Sequence, residues 1–135
     1  MVTVPRFLLD TSTAIEVLRG GRPEMRGYFN SHATELVTST VVATELFYGA
    51  NRSEDPERLR RQVEWFLDLA SPLAFDEAAA TQAADVRAEL AAVGSPIGAY
   101  DTLIAGHARS RGLVVVTQNL KDFERVPGLR CTDWA

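Results

Sequence analysis

The run Leu113-Val114-Val115-Val116 constrains the fold more than any other stretch: four apolar residues, three of them β-branched, predict a buried strand that stops at Thr117. Phe7-Leu8-Leu9 has the same character and ends in Asp10-Thr11-Ser12. Strands that are apolar throughout belong to parallel sheets covered by helices on both faces, where ligands collect beyond the carboxyl ends of the strands. Asp10 and Thr117 therefore fall where chemistry is done. Asp10, Thr11 or Ser12 has a second possible use, as the cap of a helix starting near Ala14.

Helical stretches separate the strands. Residues 13–18 predict a helix stopped by Gly20-Gly21, and residues 23–30 a second with Pro23 in its first turn, where a missing N–H costs nothing. A strand is expected over 35–38. Ser39 or Thr40 then caps a helix over 41–50, and Asp55-Pro56 opens another through Leu69, with Val63, Phe66 and Leu67 on one face. Residues 73–75 predict a third strand. Asp76 caps an alanine-rich helix reaching Val93, closed by Gly94 and Pro96, and a further helix over 98–110 ends at Gly112. A last strand over 129–132 follows the Pro127-Gly128 turn. With no repeat, linker or low-complexity tract, residues 1–135 read as a single domain. Strands alternating with helices predict an α/β fold of three layers, a central, mostly parallel twisted sheet flanked by helices.

The chain's 135 residues suffice to bury roughly two-thirds of the surface exposed by the unfolded chain. One cysteine, Cys131, cannot bridge within the chain, and with His32 and His107 it leaves too few ligands for a Cys/His zinc site. A reducing, cytoplasmic setting is expected. Residues 1–6 carry no leader pattern, and no stretch approaches the roughly 20 apolar residues of a membrane span, so no membrane association is expected. The net charge of -4 argues against holding nucleic acid by bulk charge. Any RNA or DNA must be met locally, and 13 of the 14 basic residues are arginine, which suits bidentate phosphate or carboxylate contacts.

Two later acids stand in apolar surroundings. Glu45 has Val41, Val42, Tyr48 and Gly49 as its helical neighbours, so it either points out from a partly exposed helix or is held inward by a partner offsetting desolvation. Asp101 shares its face with Ile104, Ala105 and Ala108; its first-turn place suits the helix dipole, but not such apolar flanks. Thr117-Gln118-Asn119 leaves the valine strand as Asp10 leaves its own, although ordinary turn chemistry favours the same residues.

In this order and spacing the four segments resemble the PIN-domain ribonucleases and, within them, the VapC-type toxins of bacterial toxin-antitoxin pairs. Asp10-Thr11-Ser12 matches the first motif, Glu45-Leu46-Phe47-Tyr48-Gly49 the second, and Ile97-Gly98 through Asp101 to Ile104-Ala105 the third. Thr117-Gln118-Asn119 with Phe123-Glu124-Arg125-Val126-Pro127-Gly128-Leu129 matches the last. The resemblance spans essentially the whole chain. It implies an acidic pocket binding Mg²⁺ or Mn²⁺, hydrolysis of RNA phosphodiesters, a homodimer, and a small VapB-like antitoxin that occludes the site and through which alone operator DNA is met. Many PIN domains have aspartate where this chain has Asn119, a departure that implies a weakly held second metal or a single one.

The chemistry of the residues points the same way. Three carboxylates about 4 Å apart repel by roughly 4 kcal/mol per pair at an effective dielectric of 20, so they need a dication or protonation. Hard carboxylate oxygens select Mg²⁺ or Mn²⁺ over zinc. The expected ligands are Asp10, Glu45 and Asp101, with the neutral carbonyl oxygen of Asn119 as a further donor, the metal activating water and neutralising charge on the phosphate. Thr11, Ser12 or Thr117 would orient the water or a phosphate. His107, six positions beyond Asp101 and on another face, reads as structural or exposed rather than as a base.

An antitoxin peptide carrying an arginine would pair with the acids, and apolar helices near Phe47, Tyr48, Trp65 and Phe66 offer a groove for an amphipathic helix, with core packing the expected use of most of these residues. Two other classes stay open. A haloacid-dehalogenase-like phosphatase or a receiver also places an acid after its first strand, but this chain lacks the aspartate two positions after Asp10 of the former and the strand-end lysine of the latter. The other is a non-catalytic PIN-like module that only binds its partner.

Overall fold

A computed structural model describes residue 2 and residues 4–134, so the expectations for the first six residues lie partly outside the described residues. Among these residues five short strands form one sheet: β1 (Phe7–Leu9), β2 (Leu36–Ser39), β3 (Ser71–Leu73), β4 (Val114–Val116) and β5 (Arg130–Thr132), in the order β3-β2-β1-β4-β5. Every pairing is parallel, where the sequence predicted only a mostly parallel sheet. Phe7 pairs with Leu36 on one side and Val114 on the other, so the two most apolar runs lie side by side at the centre. Their side chains are buried on both faces of the sheet, as Leu8, Leu9, Val115 and Val116 at 0% exposure show.

Among the described residues seven helices connect and cover the strands: α1 (Thr11–Leu18), α2 (Pro23–Ser31), α3 (Thr40–Asn51), α4 (Pro56–Leu69), α5 (Glu77–Ala92), α6 (Ala99–Arg111) and the four-residue α7 (Leu120–Phe123). Their starts follow the expected caps. Asp10, Ser39, Asp55 and Asp76 each accept a bond from a backbone N–H in the first turn, satisfying donors that have no partner inside the helix. Of the two residues expected to cap α3, Ser39 does so, and Thr40 instead accepts from Phe75 N at 3.0 Å. Gly112 closes α6 at φ 64, a left-handed conformation that glycine adopts without a Cβ penalty.

Several boundaries differ from expectation. Glu35 lies in a single 3-10 turn before β2, with His32 Nδ1 bonded to its carboxylate at 2.9 Å. The third strand sits two residues earlier than 73–75 and contains Pro72, tolerated because β3 is an edge strand. Of the aromatic residues weighed for a groove or for the core, Phe66 is fully buried in the core, whereas Trp65 and Tyr48 are exposed. Burying Phe66, Phe123, Leu8 or Leu9 contributes about 1.5–3 kcal/mol apiece.

The helix that carries Asp101 is positioned by a backbone contact. A Cβ added at Gly106 of α6 would meet Ala83 Cα at 2.3 Å and Ala83 N at 2.4 Å, so α6 lies directly on α5 with room for hydrogen alone. Among the described residues no helix is long and apolar enough to cross a membrane.

Candidate active site

The strand order places the site. Beyond β1 the chain steps to β2 on one side and, much later, to β4 on the other, so the carboxyl end of β1 is the point where the order reverses and a crevice opens. Asp10 stands there. Its backbone N–H extends the ladder to Val116 O at 3.1 Å, and Thr13 Oγ1 donates to the same carbonyl at 2.9 Å. Of the two uses weighed for Asp10, the structure shows the cap, Oδ1 accepting from Thr13 N at 2.9 Å, and the residue is buried at 1% exposure where the strand order reverses.

Burial pushes the Asp10 carboxyl above its ordinary value, and hydrogen bonds from Thr117, Thr13 and Ser12 oppose that rise. Ser12 is the hub of these contacts. Its Oγ donates to Asp10 Oδ1 at 2.8 Å, lies 3.5 Å from Thr117 Oγ1, and accepts from Gln118 N at 3.0 Å. Thr117 Oγ1 in turn accepts from Asn119 N at 2.8 Å. One serine thus joins the end of β1 to the loop after β4.

Glu45 sits on α3, half-buried, and accepts a short bond from Thr11 Oγ1. That contact settles how a glutamate survives in an apolar helix: a neutral hydroxyl from the first turn of α1 holds it inward. Asp101 sits in the first turn of α6, where the helix dipole favours a negative charge by typically 0.3–1 kcal/mol. Its carboxyl is nonetheless raised, by burial first and then by the charges of Asp10, Glu45 and Asp122, with a bond from Asn119 opposing.

The structure therefore brings Asp10, Glu45, Asp101 and Asn119 together, and with them Thr11, Ser12 and Thr117. The three hydroxyls are turned to carboxylates or to the loop backbone. Asp122 joins the group without having been singled out by its sequence context. It stands on α7, three residues after Asn119, where turn chemistry alone accounted for an aspartate. Asn119 Nδ2 donates to Asp101 Oδ2 at 3.1 Å and to Asp122 Oδ2 at 2.8 Å, bridging two like charges. Asp122 also pairs with Arg125 at 3.3 Å; among the described residues no cation pairs with Asp10, Glu45 or Asp101.

Asp101 lies within electrostatic reach of Asp10, Glu45 and Asp122, and carboxylates without a cation partner are the hard oxygen donors that Mg²⁺ and Mn²⁺ take. Among the described residues no three acids, histidines or cysteines are drawn close enough to cage an ion outright.

His107 lies outside the cluster. It is fully buried, with Nδ1 2.8 Å from Ser39 Oγ and its ring edge-on to Phe75 at 5.5 Å, and burial lowers its pKa. Of the two alternatives for it, structural and exposed, the first holds.

Comparison with known proteins adds an independent line. Residues 7–129 match the PIN domain family. The tRNA(fMet)-specific endonuclease VapC of Salmonella typhimurium is 46% identical over 129 residues, covering 96% of this chain and 98% of that protein. The protein of the same name from Shigella flexneri is 45% identical over 130 residues, covering 96% of this chain and 98% of its own length. Among solved structures, the DNA-bound VapBC of Salmonella typhimurium superposes with a TM-score of 0.94 at 45% identity, over 98% of this chain and 100% of the other. VapBC2 of Rickettsia felis, bound to a promoter DNA fragment, gives 0.90 at 27% identity over 96% of this chain and 98% of the other.

Proposed function

The chain belongs to the PIN-domain family, and we propose that it is the ribonuclease toxin of a toxin-antitoxin pair, cutting RNA in the crevice beyond β1 with Asp10, Glu45 and Asp101 as its working acids. The observation that carries this is the position of Asp101, which feels the charges of Asp10, Glu45 and Asp122 while none of the first three has a cation partner among the described residues. Like charges gathered at a switch point are costly to the fold and are kept where they serve chemistry.

Asp10, Glu45 and Asp101 would hold Mg²⁺ or Mn²⁺, with Asn119 Oδ1 as a neutral donor; when bound, such an ion makes water more acidic and offsets charge on the phosphate. The chain's own residues prepare that place. Ser12 and Thr117 orient the Asp10 carboxylate, Thr11 fixes Glu45, and Asn119 Nδ2 keeps Asp101 and Asp122 from driving each other apart. Asp122 is a further acid of the site, restrained by Arg125.

The relatives named for tRNA(fMet) cover nearly all of this chain, which makes initiator tRNA the first substrate to test. VapBC complexes among the structural neighbours support a VapB-like antitoxin as partner, with operator DNA contacted through it, and the family supports a homodimer. The test is to incubate the purified chain and Mg²⁺ with total RNA and to sequence the new 5′ ends. Cleavage concentrated at one loop of initiator tRNA, suppressed by the antitoxin encoded beside the chain, is expected. Absence of any new ends would remove the enzyme assignment.

A further inference from the structure

An acidic crevice on a chain of net charge -4 offers a polyanion little attraction, so RNA affinity must come from particular side chains beside the acids. Two large exposed aromatic residues neighbour the acids in sequence. Tyr48, 63% exposed, follows Glu45 by three residues and so lies one turn along the same side of α3. Tyr100, 50% exposed, directly precedes Asp101 in the first turn of α6. Only Tyr48 is backed by a charge: the Arg52 guanidinium carbon lies 5.4 Å from its ring centroid, and Arg52 forms no ion pair among the described residues. The neighbouring Gly49 is open as well, since a Cβ there would meet nothing within 4 Å.

An exposed ring with a cation over one face and clear space beside it can take an unstacked base on its other face. Bases stack on tyrosine faces regardless of sequence, and arginine adds attraction to the ring and a donor fork for phosphate. Resting on the ribonuclease assignment above, we propose that Tyr48 is a substrate-positioning residue whose ring stacks on an unpaired base next to the bond cut, with Arg52 engaging the adjoining phosphate. Such stacking needs a base with a free face, as in a loop or single strand, because base faces inside an A-form duplex are covered by their neighbours.

Steady-state cleavage of one RNA hairpin that the wild type cuts in its loop tests the idea, using Tyr48→Phe, Tyr48→Leu and Arg52→Ala. Tyr48→Leu is expected to raise KM about tenfold or more, the size of one stacked base, with kcat within about twofold, while Tyr48→Phe stays near wild type. Arg52→Ala should raise KM and flatten its salt dependence. A fluorescent adenine analogue placed next to the cut should be quenched by the Asp101→Asn protein and not by Asp101→Asn carrying Tyr48→Leu. If the wild type cuts the hairpin and Tyr48→Leu leaves KM and quenching unchanged, the stacking role is wrong and the ribonuclease assignment stands. If Tyr48→Leu instead shifts the oligomeric state in sedimentation, Tyr48 belongs to a contact between chains and the stacking role is again wrong. A wild type that cuts no RNA overturns both.

Discussion

Asn119 donates through Nδ2 to Asp101 Oδ2 at 3.1 Å, tying the loop after β4 to the first turn of α6. The same nitrogen reaches Asp122, so one neutral amide separates two carboxylates that would otherwise repel. Its removal should therefore loosen the site without abolishing it. Asn119→Ala is expected to lose about tenfold to a hundredfold in cleavage, the usual cost of a residue that orients metal ligands, yet to keep measurable activity at saturating Mn²⁺. Asn119→Asp should bind Mn²⁺ more tightly by calorimetry and melt at a lower temperature without metal, because it adds a charge and deletes the donor. Unchanged melting in Asn119→Asp would contradict the bridging role.

Asp10 and Asp101 behave differently, because truncating either removes a ligand and a unit charge together. Asp10→Ala and Asp101→Ala should each cut the cleavage rate by about a thousandfold or more, equivalent to the several kcal/mol a metal site supplies. Single-turnover cleavage of a loop RNA measures this. Asp10→Ala should also lower the melting temperature, since Oδ1 caps α1.

The pH dependence of the metal-free fold carries two opposite signs. Asp101 has its folded pKa raised, mainly by burial and also by Asp10, Glu45 and Asp122, so the unfolded chain binds fewer protons than the fold and stability falls as pH rises through the carboxylate range. Asp101→Asn should thus melt higher than wild type at neutral pH, the gap closing as pH drops toward the ordinary aspartate value. His107 has its folded pKa lowered by burial, so its contribution is lost as pH falls below the ordinary histidine value. Melting curves of wild type, Asp101→Asn and His107→Gln across pH 4 to 8 separate the two.

Gly106→Ala tests how α6 is held. A methyl at that position would overlap the Ala83 backbone, so α6 must shift away from α5, at about 1–3 kcal/mol in stability and with Asp101 displaced from its partners. Chemical denaturation and cleavage should both report the loss. Native stability in this variant would show that the two helices are less closely packed than the structure has them.

Much of this molecule was legible in its sequence, for identifiable reasons. The valine run and Phe7-Leu8-Leu9 are short, apolar and bounded by polar residues, which only a buried central strand explains, and they pair with each other in the sheet. Helix starts were legible because Asp55, Asp76 and Ser39 cap through local bonds that span two or three residues. Contacts across the fold were not. Nothing in the chain linked Thr11 to Glu45, 34 positions away, or showed that the Ser12 hydroxyl would reach Gln118. Asp122 escaped because its role exists only once α7 folds against the first turn of α6, and a turn aspartate looks the same on paper. The third strand shifted because β3 is an edge strand, placed by pairing with β2 more than by its own residues.

The most direct test of a metal-dependent acid site is cleavage of a loop RNA by the wild type and by Asp101→Asn with Mg²⁺, then with EDTA, then with Mg²⁺ restored. The wild type should cut, stop on chelation and resume on restoration, while Asp101→Asn, folded by circular dichroism, stays silent throughout. Cleavage that persists in EDTA, or full activity in Asp101→Asn, would contradict it.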